Sequence, residues 1–140
     1  MATFRCAACG AVNRLAFGPP AAVPCERCRR PLDLSGQPQP VDAAALVAAI
    51  LSSPSPVLVD FSGPDAPSPA LLEQARALAG SMLVLRVDPG AEPAATAAYA
   101  VPETPTLVLF AGGTEVARHA GGGAWDDLAA AVAGQPPAPR

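Results

Sequence analysis

The sequence predicts an α/β domain, with a central mixed sheet flanked by helices, preceded by a small cysteine-rich ribbon at the N-terminus. Three observations carry this reading. All four cysteines of the 140-residue chain fall within its first 28 residues, in two closely spaced pairs. Beyond residue 41, short β-branched apolar runs alternate with alanine-rich stretches of helical periodicity, as buried parallel strands alternate with helices. The last two strand-like runs are separated by Ala111, Gly112 and Gly113 alone, which marks an antiparallel hairpin.

Length and composition leave room for one ordinary domain with a small appendage. Aromatics make up only 4% of the chain, so the core has to be built from Val, Leu and Ala. The longest apolar stretch, residues 43–51, is far short of the roughly 20 residues that span a bilayer, so no membrane span is expected. No apolar signal segment precedes Cys6, and the cytoplasm is the expected compartment. All nine basic residues are arginine and 18 residues are proline, a pattern of GC-rich coding from which no function follows. Charge is unevenly shared: residues 1–40 hold five arginines against Glu26 and Asp33, and residues 41–140 hold four against ten acids. A basic head on an acidic body suggests nucleic acid. Four thiolates around one divalent ion would, however, cancel most of the head's positive charge, which argues against a nucleic-acid footprint.

The elements follow in order. Cys6-x2-Cys9, 15 intervening residues and Cys25-x2-Cys28 give the spacing of a tetrahedral zinc site built from two knuckles. Gly10 can take the positive φ that such a turn demands, and Arg29, at the matching place after Cys28, is a less comfortable fit. A ribbon of about 40 residues cannot stabilise itself by burial alone, so the metal would supply folding energy. Two disulfides, disfavoured in a reducing cytosol, or a redox C-x-x-C pair are the alternative readings of the same cysteines.

The ribbon is assigned to residues 1–34. Residues 35–41, rich in proline, form a linker or a short edge strand. The main domain runs from 42 to 134, and 135–140 is a proline-rich tail expected to be disordered. Asp42 is a good N-cap for a helix to Ser52, with Leu46, Val47, Ile50 and Leu51 at helical spacing. Residues 57–61 form a buried strand. Ser68 and Pro69 open a second helix over 70–79, stopped by Gly80. Residues 82–88 form another strand and 93–99 a short helix. The hairpin pairs 106–110 with 114–120, and an amphipathic helix over 125–133 closes the chain.

Several strings in this order resemble the thioredoxin family. VLVDF at 57–61 is similar to the strand that leads into the thioredoxin active site. VPETPTLVLF at 101–110 is similar to the family's cis-proline segment, and Gly121 falls at its groove-side glycine turn. With the ribbon and its continuation CGAVNR at 9–14, the whole chain resembles the zinc-ribbon thioredoxin 2 class over residues 4–134. The departure lies at the family's functional centre. Where thioredoxins carry WCGPC, this chain has SGPDAPSP at 62–69, without either redox cysteine and about one helical turn short. Disulfide exchange needs one thiolate to attack and a second thiol to resolve. Ser68 has no neighbouring base and cannot substitute.

The resemblance implies roles for residues that remain. Asp60 matches the buried carboxylate that accepts a proton from the resolving cysteine; without that cysteine it is a remnant acid, paired with Arg86 or water, and titrates high if unpaired. A groove lined by Gly63, Pro64, Asp65, Ala66, Thr104, cis-Pro105 and Gly121 can take an extended protein or peptide client by strand addition. His119 reads as a surface strand residue and Trp125 as a packing residue of the last helix.

The leading expectation is a redox-inactive, peptide-binding thioredoxin fold with one structural zinc on Cys6, Cys9, Cys25 and Cys28. The alternative is an oxidoreductase or redox sensor working through those cysteines. Third comes a nucleic-acid contact through Arg5, Arg14, Arg27, Arg29 and Arg30, near which only Phe4 and Phe17 supply aromatics.

Overall fold

Runs dominated by apolar residues make stable strands where both sheet faces are covered. The computed structural model, which describes residues 2–16, 23–63, 69–102 and 104–120, puts three such runs at the centre of a five-stranded sheet. The middle strand, β4 (Val57–Phe61), is buried at every position. It pairs parallel with β5 (Leu83–Val87), from Val57↔Leu83 to Phe61↔Val87. On its other side it pairs antiparallel with β6 (Thr106–Ala111), from Val57↔Phe110 to Phe61↔Thr106. The edges are β3 (Gln39–Pro40), parallel to β5, and β7 (Thr114–Ala120), antiparallel to β6 with a bulge at Leu109/Phe110. The mixed sheet is the one the sequence predicts. Within 35–41, Gln39 and Pro40 are an edge strand, the position a proline tolerates because it needs no donor there.

The period of two along β4 assigns its side chains to two layers. Val57, Val59 and Phe61 join Leu85, Val87, Val108 and Phe110 beneath α1 (Ala43–Ser52) and α3 (Pro93–Ala98). Leu58 faces the other way, with Val84, Leu107 and Leu109, beneath α2 (Pro69–Ala77), which buries Leu71 and Ala75. The same alternation puts Asp60 on the α2 side. Helix α1 is capped twice: Asp42 accepts from the Ala45 amide at 2.7 Å, and Glu92, 49 residues on, accepts from the Ala43 amide at 2.8 Å. Arg118 of β7 ties the end of α3 to the hairpin by donating to the carbonyls of Tyr99 and Ala100, at 2.6 and 2.7 Å, while paired with Glu115. Ser68, the helix expected over 125–133 and the tail at 135–140 lie outside the described residues.

The ribbon is docked on this sheet. Its β1 (Ala2–Arg5) and β2 (Val12–Leu15) form an antiparallel pair, and every residue of β1 is buried. The Thr3 amide donates to the Gly80 carbonyl at 2.8 Å. The Thr3 and Ser55 hydroxyls share a buried hydrogen bond of 2.7 Å. Arg5 and Gln39 exchange two more: guanidinium to side-chain carbonyl at 2.8 Å, and side-chain amide to the Arg5 backbone carbonyl at 2.9 Å. Gly36 closes the junction. It sits at φ +79°, and a Cβ there would fall 2.5 Å from the Ala75 carbonyl oxygen and 2.7 Å from the Ala79 methyl. Only glycine meets both demands.

Candidate functional site

Two turns with the same hydrogen-bond pattern present the cysteines. In the first, Gly10 N donates to Cys6 O and Cys6 N to Ala11 O, both at 2.8 Å. In the second, Arg29 N donates to Cys25 O at 2.9 Å and Cys25 N to Arg30 O at 2.8 Å. Each turn then needs a left-handed residue, Gly10 at φ +80° and Arg29 at φ +68°. The awkward fit expected of Arg29 is therefore a side-chain-bearing residue held in a conformation that disfavours it.

The four sulfurs lie within 4.8 Å of one another, with Cys6–Cys28 and Cys9–Cys25 at 3.6 Å. Sulfurs on a tetrahedral ion at the zinc–thiolate distance of about 2.3 Å stand about 3.8 Å apart, so the donor set fits such an ion. Cys6 and Cys25 are buried, and Cys9 and Cys28 partly so. Backbone N–H groups aim at the sulfurs. Those of Cys28 and Arg27, with the Asn13 side chain, bring the Cys25 thiol down to about 6 against the effect of burial. Burial also opposes ionisation of Cys6, but the amides of Cys9 and Ala8 lower its pKa. Cys9 has the Ala11 amide in its favour, yet burial and the other three sulfurs push it up to about 11. Without an ion, then, Cys6 and Cys25 are favoured to lose a proton while Cys9 is favoured to keep its own. A divalent ion replaces those protons and removes the conflict.

Asn13 was quoted in the sequence string but given no role, and it is the residue of this centre that sequence reasoning missed. Its side chain contacts Cys25 Sγ at 3.6 Å. The available signal was a polar residue between the apolar Val12 and Leu15 in a short strand beside the first knuckle. Of the arginines offered as an anion-binding set, Arg14, Arg27, Arg29 and Arg30 are exposed. Arg5 is internal and bonded to Gln39, and Phe4 is buried, which removes one cation and one aromatic from that surface.

The second candidate region is the end of the sheet where β4 runs out and β6 begins. Asp60 is 5% exposed and accepts from the Ser62 hydroxyl at 3.1 Å. Burial raises its pKa, against the Ser62 hydrogen bond and the charge of Arg86, its cross-strand neighbour. The Thr104–Pro105 peptide bond is cis, and both residues are exposed. Gly63 opens into space, with nothing within 4 Å of where a Cβ would stand. The β4–β6 register, ending at Phe61↔Thr106, places Gly63, Thr104 and Pro105 at one end of the sheet, the end where Asp60 lies. Pro64, Asp65, Ala66 and Gly121 lie outside the described residues. No thiol is available here, since all four cysteines belong to the ribbon cluster. His119, half-buried on β7, joins no group of metal ligands among the described residues. Among those residues no helix is long and apolar enough to cross a membrane.

No protein-family profile matches the chain, and no curated protein matches it. Solved structures do. A mutant thioredoxin from Halobacterium salinarum is 28% identical with a TM-score of 0.59, the match covering 71% of this chain and 91% of that one. A mutant thioredoxin from Entamoeba histolytica is 24% identical, TM-score 0.60, covering 69% and 97%. The thioredoxin of Fasciola hepatica is also 24% identical, TM-score 0.59, covering 66% and 92%. The fold is thioredoxin-like, and it carries a four-cysteine cluster able to hold a metal ion.

Proposed function

We propose that this chain is a zinc-ribbon relative of the thioredoxin 2 class that has given up disulfide exchange and keeps its fold as a protein- or peptide-binding module. One observation carries the reading: every thiol in the chain belongs to the ribbon cluster, which leaves the end of β4 without a thiol nucleophile. Disulfide exchange at that end has no attacking group and no resolving group. What remains there is an exposed cis-proline edge beside an open glycine, a surface on which an extended segment can pair by backbone hydrogen bonds.

In the ribbon, Cys6, Cys9, Cys25 and Cys28 would hold one zinc ion, which supplies folding energy to a segment too small to fold by burial alone. A reducing compartment such as the cytoplasm keeps those thiols free for the ion. The test couples the full, zinc-loaded chain to thioredoxin reductase with insulin as substrate. No turnover is expected, and sustained reduction of insulin would overturn the reading.

The partial exposure of Cys9 and Cys28 favours one second reading, a redox sensor in the ribbon. Two thiolates would give two electrons to a peroxide, forming one disulfide and two hydroxides and releasing the ion. Peroxide-dependent zinc release that reductant reverses supports this role; zinc retained under peroxide excludes it.

A further inference from the structure

Buried side-chain amides need partners for both N–H and C=O groups, and Asn13, 1% exposed, finds all of its partners in the ribbon. Its Nδ2 donates to the Ala11 carbonyl at 3.2 Å and to Cys25 Sγ at 3.6 Å, and its Oδ1 accepts from the Glu26 amide at 2.9 Å. The reversed amide would set oxygen against a sulfur and a carbonyl, and N–H against N–H, so only this orientation satisfies the group. Ala11 belongs to the first knuckle; Cys25 and Glu26 belong to the second. A single side chain thus joins the two turns at a cysteine sulfur.

The likeness of the two knuckles shows what packing alone would ask for at this place. Counted from Cys6 and Cys25, Asn13 and Leu32 are equivalent, each seven residues on, and both are buried. The Leu32 amide bonds to the Val23 carbonyl at 2.9 Å, and its side chain packs in the apolar cluster with Phe4, Cys6 and Cys25. A leucine therefore serves the fold at this position. The polar alternative, which is destabilising when its partners are missing, stands only in the knuckle where it reaches a sulfur of the other.

On the reading of the four cysteines as a metal centre, we infer that Asn13 is the positioning residue of that centre. Its N–H holds Cys25 Sγ in ligating geometry, while its Oδ1 locks the second knuckle to the first. Four thiolates on a divalent ion leave excess negative charge on sulfur. Asn13 and the Arg27 amide, which donates to Cys25 Sγ at 3.4 Å, share that charge at one ligand. The consequence is slower loss of the ion than two independent turns would allow.

Cobalt(II), titrated into the reduced, metal-free full chain, tests this in wild type, Asn13→Leu and Asn13→Asp. Asn13→Leu copies the twin knuckle and keeps the burial. Asn13→Asp keeps the shape and the acceptor for Glu26 but has no N–H for sulfur. Both variants are expected to form the thiolate complex with its sulfur-to-cobalt charge-transfer band at lower energy, because a sulfur lone pair has lost its hydrogen bond. A chelator should then strip the ion about 10–100 times faster, as removal of outer-shell partners generally does. A band and a stripping rate unchanged in Asn13→Asp would overturn the role of Asn13 while leaving the metal centre intact. A wild-type chain without a charge-transfer band would overturn the metal centre itself.

Discussion

The ribbon and the β4–β6 end of the sheet hold the polar chemistry of this protein in opposite ways. In the ribbon, four cysteines converge within 4.8 Å, and N–H groups from both knuckles point at their sulfurs. At the sheet end, a buried carboxylate, a cis-proline and an open glycine surround a place with no thiol. The first region is an assembled donor set able to hold an ion. The second is a shaped edge whose buried acid, Asp60, is costly to ionise. Shape and chemistry are thus separable in this scaffold: the cis peptide bond and the open glycine stand at an end of the sheet that holds none of the four thiols.

Removing metal should separate the two regions most strongly. Structural zinc contributes about 10–16 kcal/mol of apparent binding energy in small ribbons, so chelation under reducing conditions is expected to unfold the ribbon. Amide exchange of Ala2–Arg5 would become fast while that of Val57–Phe61 stays slow. If both became fast together, the ribbon and the sheet would be one cooperative unit. Next in size is Gly36→Ala, where the added methyl meets the Ala75 carbonyl at 2.5 Å in a left-handed backbone. A loss of about 3 kcal/mol is expected in chemical denaturation of the metal-loaded chain; an unchanged midpoint would mean the junction is not packed as described.

Arg29→Gly acts within the ribbon and in the opposite direction. Relief at φ +68° outweighs the extra entropy of glycine in the unfolded chain by about 0.5–1 kcal/mol, so the metal-loaded melting temperature should rise. A fall would show that the Arg29 side chain makes a contact worth more than the strain. The smallest effect belongs to Asp60→Asn, and it depends on pH. Folding raises the Asp60 pKa, so its protonated form is the one the fold prefers. That stability is complete below the unfolded value of about 3.9 and is lost as pH rises through the folded value. The asparagine variant should therefore melt higher than wild type at neutral pH, with the gap closing as pH falls toward 3.9. A gap constant across pH would show that ionisation of Asp60 is not its cause.

Much of this architecture was legible in the chain. Residues 57–61 and 82–88 announce buried strands by apolar composition and shortness, the second observed as Leu83–Val87. Asp42, Pro69 and Pro93 mark helix starts by the chemistry of their caps and first turns. The cysteine spacing announced the cluster, and the repeat of one knuckle in the other exposed Arg29 as a misfit. What could not be read depends on partners distant in sequence. Glu92 caps a helix that begins 49 residues earlier. Arg5 counted as surface charge until its bond to Gln39, 34 residues away, put it inside. Asn13 looked like an ordinary polar strand residue because the sulfur it meets lies in the other knuckle.

The docking of β1 also bears on solubility. Edge β3 pairs only with Leu85 and Arg86 of β5, and the ribbon's β1 lies near the start of that strand, anchored at Gly80 and Ser55. Uncovered strand edges are templates for pairing with other chains. On the reading of the cluster as a metal centre, an ion held there would shield part of that edge indirectly, through the docking of β1. A chain deprived of metal would expose that edge and self-associate, so cellular zinc supply would set how much of this protein stays in solution.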